Sequence, residues 1–390
     1  SLMYFYLVRT FGDVPFIREA YVNGSQQMSV AKSSEKEILA GLVADLEMVE
    51  TGNYLPGQYS STDIAQNKGR MTMWAVKALL ADIYLWQEEY EKCNRKCDEI
   101  IGSGQLLLVP VESRKIEVEN TEEGTTDIYY APDQSSYYSL FQQIYYQGNS
   151  MESIFELQFA TDNLNPFYSL MSSGRGVIGV KTERVNSDIF PPLADEAYSG
   201  ECFDIRSVIS QSKSCLWKYI GVEPNGSERA QEEYTNNFII YRLAEIYLMK
   251  AEALTQMAIL DSDNQELLKE AYAAVKVIRD RSTAVATTDI GQTEGSYSGK
   301  AMEEFVLAER GRELIFEGKR WFDVLRQAKR NNYDGENLNY LMTLTEYSAP
   351  ASKVNSLKAK YRNYHSHYLP IYSEEIDANP LLEQNEFYAN

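Results

Sequence analysis

Apolar positions along this chain recur at helical rather than strand spacing, and they do so in three separated blocks. From Arg70 to Ile101, Trp74, Ala78, Ala81 and Leu85 fall on one stripe, a break follows at Gln87–Glu89, and a second helix runs through Tyr90, Cys93 and Cys97. From Asn236 to Leu254, Ile240, Leu243, Ala244, Tyr247, Leu248 and Ala251 form another stripe, with ELLKEAYAAVKVIRDR as its partner helix. The third block pairs Met302–Glu317 with Arg320–Arg330, hinged at Gly318, a residue suited to a left-handed helix cap. Each pair carries Ala where two helices must approach and aromatics where they interlock. That pattern predicts tetratricopeptide-like units, none of which can bury its face alone.

The helical pairs lie at about 70–101, 237–281 and 301–330, so there is no uninterrupted array of the ~34-residue period. A long insertion spans about 102–235. Within it SIFELQFA alternates like a strand, while the rest reads as loops and short pieces, including the Gly/Ser-rich MSSGRGVIGV. Residues 331–368 form a second polar, Asn- and Tyr-rich excursion. The predicted architecture is mainly α, one domain over 1–390, with an irregular helical scaffold holding out a loop-rich segment where function tends to sit.

Composition sharpens this picture. A formal charge of −20 with no basic run excludes nucleic acid as a partner. Tyrosine is over-used, 29 against 14 Phe, and a ring with a polar tip suits a wet binding surface. Four cysteines make no disulfide scaffold in 390 residues. Cys93 and Cys97 read as buried small hydrophobes, and Cys202 and Cys215 could be bridged across a loop, though nothing requires it. No apolar run is long enough to cross a membrane, and LMYFYLV has neither the basic lead-in nor the cleavage site of a signal peptide. The chain opens on apolar residues without a cap, as if a helix were entered midway.

Candidate chemistry is sparse. In ERGRELIFEGKRWFDVLR, Glu309 and Glu313 lie close in angle to Met302, Phe305, Val306 and Phe316, so two carboxylates share an apolar stripe. A glycosidase pair would flank a bond, whereas these project from one face of one helix. Arg310, Arg312, Arg320 and Arg326 stand nearby, and guanidinium partners lower carboxyl pKa values and make poor proton donors. The expectation is a structural ion-pair clasp of Glu309, Arg310, Arg312, Glu313, Arg320 and Arg326 between the last two repeat helices. No GxSxG motif occurs, and the only histidines, His365 and His367, fit a polar loop better than a metal site. GRGVIGV lacks the following helix of a phosphate cradle, and ILDSDNQE is better read as an N-cap than as a calcium loop. No cofactor and no metal are expected.

What remains is aromatic. Tyr129, Tyr130, Tyr137, Tyr138, Tyr145 and Tyr146 fall within eighteen residues, among Asp127, Asp133, Gln134 and Asn149, with Trp217 and Tyr219 as similar candidates. Sugars offer C–H faces that stack on rings and hydroxyls that need polar partners, so these eight are the expected ligand-binding residues.

Several segments, in order, resemble the SusD/RagB nutrient-binding lipoproteins of the Bacteroidetes outer membrane. YFYLVRTFGDVPF resembles the family's early helix and turn. GRMTMWAVKALLADIYLW and NNFIIYRLAEIYLMKAEAL resemble two of its repeats, the latter with Tyr241, Arg242, Glu245 and Glu252 in their usual places. ERGRELIFEGKRWFDVLR and YLPIYSEEIDANPLLEQNEFY are similar to its ER-x-x-EL and closing QN-x-x-Y blocks, with Tyr372 where the family often has a second Pro. The resemblance implies a non-catalytic surface protein that captures oligosaccharide and passes it to a SusC-like TonB-dependent transporter. A peptide-binding RagB-like role is the alternative, and a scaffold binding only protein is a further one. The lipobox Cys and the family's N-terminal segment are absent, so outer-membrane anchoring by lipid is implied rather than read. Ligand residues vary among members, and none is carried over.

Overall fold

A computed structural model describes residues 1–24, 27–120, 124–172, 178, 184–209, 216–221, 227–333 and 340–389. The principal helices are α1 (Leu2–Phe11), α2 (Glu35–Thr51), the short α3 (Ile64–Lys68), α4 (Met73–Trp86), α5 (Tyr90–Ile101) and α6 (Gln134–Phe141). They continue with α7 (Leu243–Leu260), α8 (Gln265–Arg281), α9 (Gly299–Glu313), α10 (Arg320–Arg330), α11 (Tyr340–Ser348) and α12 (Val354–Tyr361). Two antiparallel strand pairs complete the described structure: β1 (Ser113–Asn120) with β2 (Thr125–Pro132), and β3 (Ser153–Leu157) with β4 (Phe238–Arg242). No described helix is long and apolar enough to cross a membrane. The chain divides into two compact units, Ser1–Tyr54 with Trp86–Glu88 and Trp321–Asn390, and Leu55–Leu85 with Glu89–Arg320.

The first unit is organised by aromatics around one buried cation. Arg9 of α1 places its guanidinium 3.9 Å from the Phe5 ring centre and 4.4 Å from that of Phe322. Such stacking suits a weakly hydrated, delocalised charge removed from water. Beside it Glu35 accepts from the Trp86 indole at 2.8 Å and from the Tyr368 hydroxyl at 3.0 Å. Gln384 Oε1 accepts from the Ile371 N–H and its Nε2 donates to the Ile371 carbonyl, at 2.8 Å each, which explains why an amide stands there. His365 contacts Glu386, and His367 bonds the Tyr361 carbonyl. No group of three metal-ligating side chains occurs among the described residues.

The second unit is built on α7. Ala244, Leu248, Ala251, Leu254 and Ala258 recur every three or four residues and are wholly buried against Leu268, Ala271, Val275 and Ile278 of α8 and Met302 and Val306 of α9. Alanines let the axes approach, and each buried Leu, Ile or Val contributes roughly 1.5–3 kcal/mol of apolar burial. α5 packs on another side of α7 and buries Cys93 and Cys97. Asn264 caps α8, accepting from the backbone N–H groups of Glu266 and Leu267, which accounts for the polar ILDSDNQE turn. The break at Gln87–Glu89 falls where expected, with Glu88 left-handed at φ 64°. Cys202 is buried, while Cys215 lies outside the described residues, as does most of MSSGRGVIGV.

Three expectations need correction. Ile240 does not extend the α7 stripe: Phe238–Arg242 is strand β4, with Glu156 opposite Ile239 and Leu157 opposite Phe238. β-branched and aromatic residues favour the extended form once a partner strand is present, and the helix starts only at Leu243. Second, the 102–235 insertion is less loop-like than read, since it contains the β1–β2 hairpin. Its residues are largely exposed on both faces, so no clean alternation announces it. Third, α9 stops at Glu313 rather than Glu317. A turn follows in which Phe316 (φ 65°) and Gly318 (φ 74°) are left-handed. That turn brings Glu317 to Arg242 and Lys218, whose ion pairs offset the strain of a non-glycine residue in this region.

Gly148 (φ 70°) turns the chain so that the Asn149 N–H donates to Glu156 at 2.9 Å, and a Cβ there would meet Asn237 Nδ2 at 2.7 Å. Gly148→Ala should therefore cost on the order of 1–3 kcal/mol. A urea midpoint equal to that of the parent would contradict this reading.

Candidate functional site

The helix ends and strands of the second unit converge on a buried set of charges. Five carboxylates (Glu152, Asp204, Glu309, Glu313 and Glu317) meet six cations (Arg206, Lys218, Arg242, Arg279, Arg281 and Arg312) among the described residues. Arg242, at the β4–α7 junction, donates to Glu152 at 3.0 Å, to Glu313 at 2.6 Å and to both Glu317 oxygens at 2.8 and 3.0 Å. Arg206 makes a two-bond fork with Asp204 and reaches Glu309 at 2.6 Å. Arg279 and Arg312 supply further donors to Glu309. Lys218 donates to Glu317 at 3.0 Å and to the Glu313 carbonyl at 2.9 Å.

The electrostatics follow from that geometry. Burial alone would raise the Glu309 carboxyl, but Arg206, Arg312 and Arg279 outweigh it and hold it at about 2. Glu313 is likewise pushed up by burial and pulled well below the carboxylate range by Arg281, Arg242, Arg206 and Lys218. These acids are anionic at neutral pH and have no proton to give. The set is larger than the clasp expected from sequence, and differently composed. Arg310 lies against Glu245 and Glu252 of α7, Arg320 donates to the Leu307 carbonyl at 2.7 Å, and Arg326 pairs with Asp323 within α10. Their places in the network are taken by Arg206, Lys218, Arg242, Arg279 and Arg281, from segments up to about a hundred residues away in the chain, which no local spacing could show.

The eight aromatic candidates are not gathered on one surface. Tyr137, Tyr145, Trp217 and Tyr219 are buried, the first three in one apolar cluster with Phe141 and Ile220. Tyr145 also donates to Glu317 at 3.3 Å, and Tyr219 stacks on Phe238. Tyr138 stacks on Tyr137, and Arg229 covers the Tyr146 ring at 3.5 Å. Tyr129 bonds Asp195 and leans on Tyr198. Tyr130, opposite Lys115 in the hairpin, is the one with nearly half its surface open, at 48%. Protein atoms thus occupy most of the ring faces that stacking on a ligand would need.

A different place in the same unit has the shape of a site. A cleft of about 590 Å³ lies between the 57–74 segment and the turn at 147–154, within the range of about 300–1,000 Å³ typical of small-molecule sites. Trp74, half-buried at the start of α4, forms one wall, and Gly57 approaches its indole edge so closely that a Cβ would stand 3.3 Å from Nε1. Amides dominate the rest. Gln105 and Gln147 are exposed, with no side-chain hydrogen bond among the described residues. Asn149 and Gln158 pair reciprocally at 2.9 and 3.0 Å, stiffening the turn that carries Gln147. Among the described residues no carboxylate lines the cleft, and Lys68 is its one charged group. Sequence reading placed Trp74 in the α4 apolar stripe, and the amides lie in loops distant in sequence, so only folding assembles them.

The fold and this geometry define a class: a tetratricopeptide-like helical scaffold with a long insertion and an open polar cleft. The SusD family model matches residues 210–388. SusD-like proteins P2 and P25 of Formosa agariphila are each 24% identical, over 86% and 99% of this chain. The chain spans 65% and 70% of their lengths. A SusD superfamily structure from Parabacteroides distasonis superposes with TM-score 0.64 at 23% identity, covering 99% of this chain and 76% of that one. Surface glycan-binding protein A from Bacteroides uniformis gives 0.63 at 21%, covering 98% and 75%. The chain is thus similar to the SusD family, by the family model over residues 210–388 and by relatives at 24% identity over most of its length.

Because Glu313 is buried among four cations, Glu313→Gln should lower stability by about 3–5 kcal/mol. An unchanged urea midpoint would contradict the pairing. For Glu309 the folded pKa is depressed, so its contribution is complete above the ordinary value of 4.5 and is lost as pH falls from there toward 2. Over that window it amounts to on the order of 3 kcal/mol. Urea midpoints measured across pH 6 to 2.5 should fall less steeply in Glu309→Gln than in the parent.

Proposed function

We propose that this chain is a non-catalytic glycan-binding protein that captures oligosaccharide in the cleft beside Trp74. The observation that carries the reading is the cleft's chemistry among the described residues: one half-buried indole, the unbonded side-chain amides of Gln105 and Gln147, and no carboxylate lining. A pyranose ring can lay its C–H face on the indole while its hydroxyls exchange hydrogen bonds with Gln105 and Gln147. Amides both donate and accept, which suits hydroxyls that do the same. The match to the SusD family model over residues 210–388 and the structural likeness to a surface glycan-binding protein support the same class of ligand.

The buried acids support the non-catalytic reading. Glu309 and Glu313 are wholly buried and ion-paired, so they can neither reach a glycosidic bond nor protonate its oxygen. As in the family it resembles, the protein would sit on the outer membrane by a lipid anchor and deliver its ligand to a SusC-like TonB-dependent transporter. In that role capture must be reversible, and a shallow open cleft with one stacking ring favours release over tight retention.

Affinity electrophoresis through gels containing plant and algal polysaccharides should retard the protein in at least one of them. Trp74→Ala should weaken that binding by about tenfold or more, corresponding to ~1.4 kcal/mol or above, and Trp74→Phe by less. Retardation unchanged by both substitutions would contradict the assignment, and binding of peptides alone would replace glycan with the RagB-like ligand.

A further inference from the structure

Lys68 ends the short helix α3 and lines the cleft. Its ammonium is half-buried and donates to the Ser153 carbonyl, its sole hydrogen-bond partner among the described residues, and it enters no ion pair. The nearest balancing charge, Glu156, is already satisfied by neutral donors. One oxygen takes the Ser153 hydroxyl, and the other takes Asn237 Nδ2 at 2.7 Å and the Asn149 N–H at 2.9 Å. Lys68 and Glu156 therefore attract across a gap without meeting, and the ammonium keeps protons to donate.

That arrangement contrasts with the ion-paired cations around Arg242. In a chain of net charge −20, acids would be expected at the edge of any open surface, yet none lines this one. Arg206, Lys218, Arg242 and Arg281, four buried cations of the same unit, are each matched by carboxylates. A partly desolvated ammonium without an anion is costly, and the cost is recovered when an anion arrives.

We propose that the cleft selects oligosaccharides bearing an anionic group, the carboxylate of a uronate or a sulfate ester, with that group placed on Lys68 while a neighbouring ring stacks on Trp74. This deepens the glycan reading and rests on it. The acid-free lining removes the repulsion that the rest of the surface would impose on such a ligand, so the site is open to anions where the remainder of the protein repels them. Burial lowers the Lys68 pKa while Glu156 raises it, and a bound anion would favour the charged form further.

The test uses the full chain and matched probes in titration calorimetry: an oligogalacturonate, its carboxyl-reduced neutral counterpart, a sulfated galactan oligosaccharide without uronate, and its desulfated form. The expected result is tighter binding of at least one anionic probe than of its neutral match by roughly tenfold or more. Lys68→Met should abolish that preference and Lys68→Arg should retain it. Raising sodium chloride from about 50 to 500 mM should weaken the anionic arm selectively. The two anionic arms identify whether carboxylate or sulfate is preferred. Neutral probes binding as well as anionic ones, with Lys68→Met unchanged, would overturn the inference and leave the glycan reading standing. Failure of every probe and of every polysaccharide gel would overturn both.

Discussion

Arg242 is the residue on which the second unit depends. It closes strand β4, opens helix α7, and from that junction binds Glu152, Glu313 and Glu317 at once with no exposure to water. A buried guanidinium is tolerable only when its donors are filled by well-placed acceptors, and here carboxylates and the Glu313 carbonyl fill them. The requirement propagates outward. Glu152 must stay at the head of β3, where its backbone carbonyl also receives Leu243 N–H. Glu313 must end α9, and Glu317 must be swung inward by the left-handed turn at Phe316 and Gly318. The insertion is locked to the repeats through the same charges, because Lys218 and Tyr145 both bond Glu317.

This rigidity bears on the cleft. β3 follows directly from the turn at 147–152, so the strand that the ion pairs anchor at Glu152 and Arg242 is continuous with the segment presenting Gln147 and Asn149. Gly148 and Glu156 fix that turn from inside, and the Asn149–Gln158 amide pair fixes it from outside. A preorganised turn spends little conformational entropy on binding, which matters when one indole and a few amides supply the contact. The acids around Arg242 thus act at a distance, by holding the strand that continues from one wall of the cleft.

How much of this could be read from the chain depended on whether a signal was local. The α7–α8 pair was legible because Ala251, Leu254 and Ala258, like Ala271 and Val275, repeat within a few residues. So were the break at Gln87–Glu89 and the arginine-partnered nature of Glu309, whose Arg312 is three residues away. Arg242 was quoted as part of a motif, but its partners lie 71 to 90 residues off and no spacing joins them. The burial of tyrosines is hidden for the same reason: Tyr137 and Tyr145 look identical in sequence to exposed rings, and only packing against Phe141 and Trp217 decides their fate. Trp74 carried the opposite error, an apolar residue on a helical stripe that the fold leaves half open.

The central claim is that ligand meets the protein at Trp74 and the amide turn, not at the tyrosine hairpin. A crystal structure with a bound oligosaccharide tests it most directly. The account predicts a sugar ring stacked on the Trp74 indole with hydroxyls on Gln105 and Gln147, while Tyr145 and Trp217 remain buried. A sugar seated instead on Tyr129 and Tyr130, with the cleft beside Trp74 empty, would contradict it.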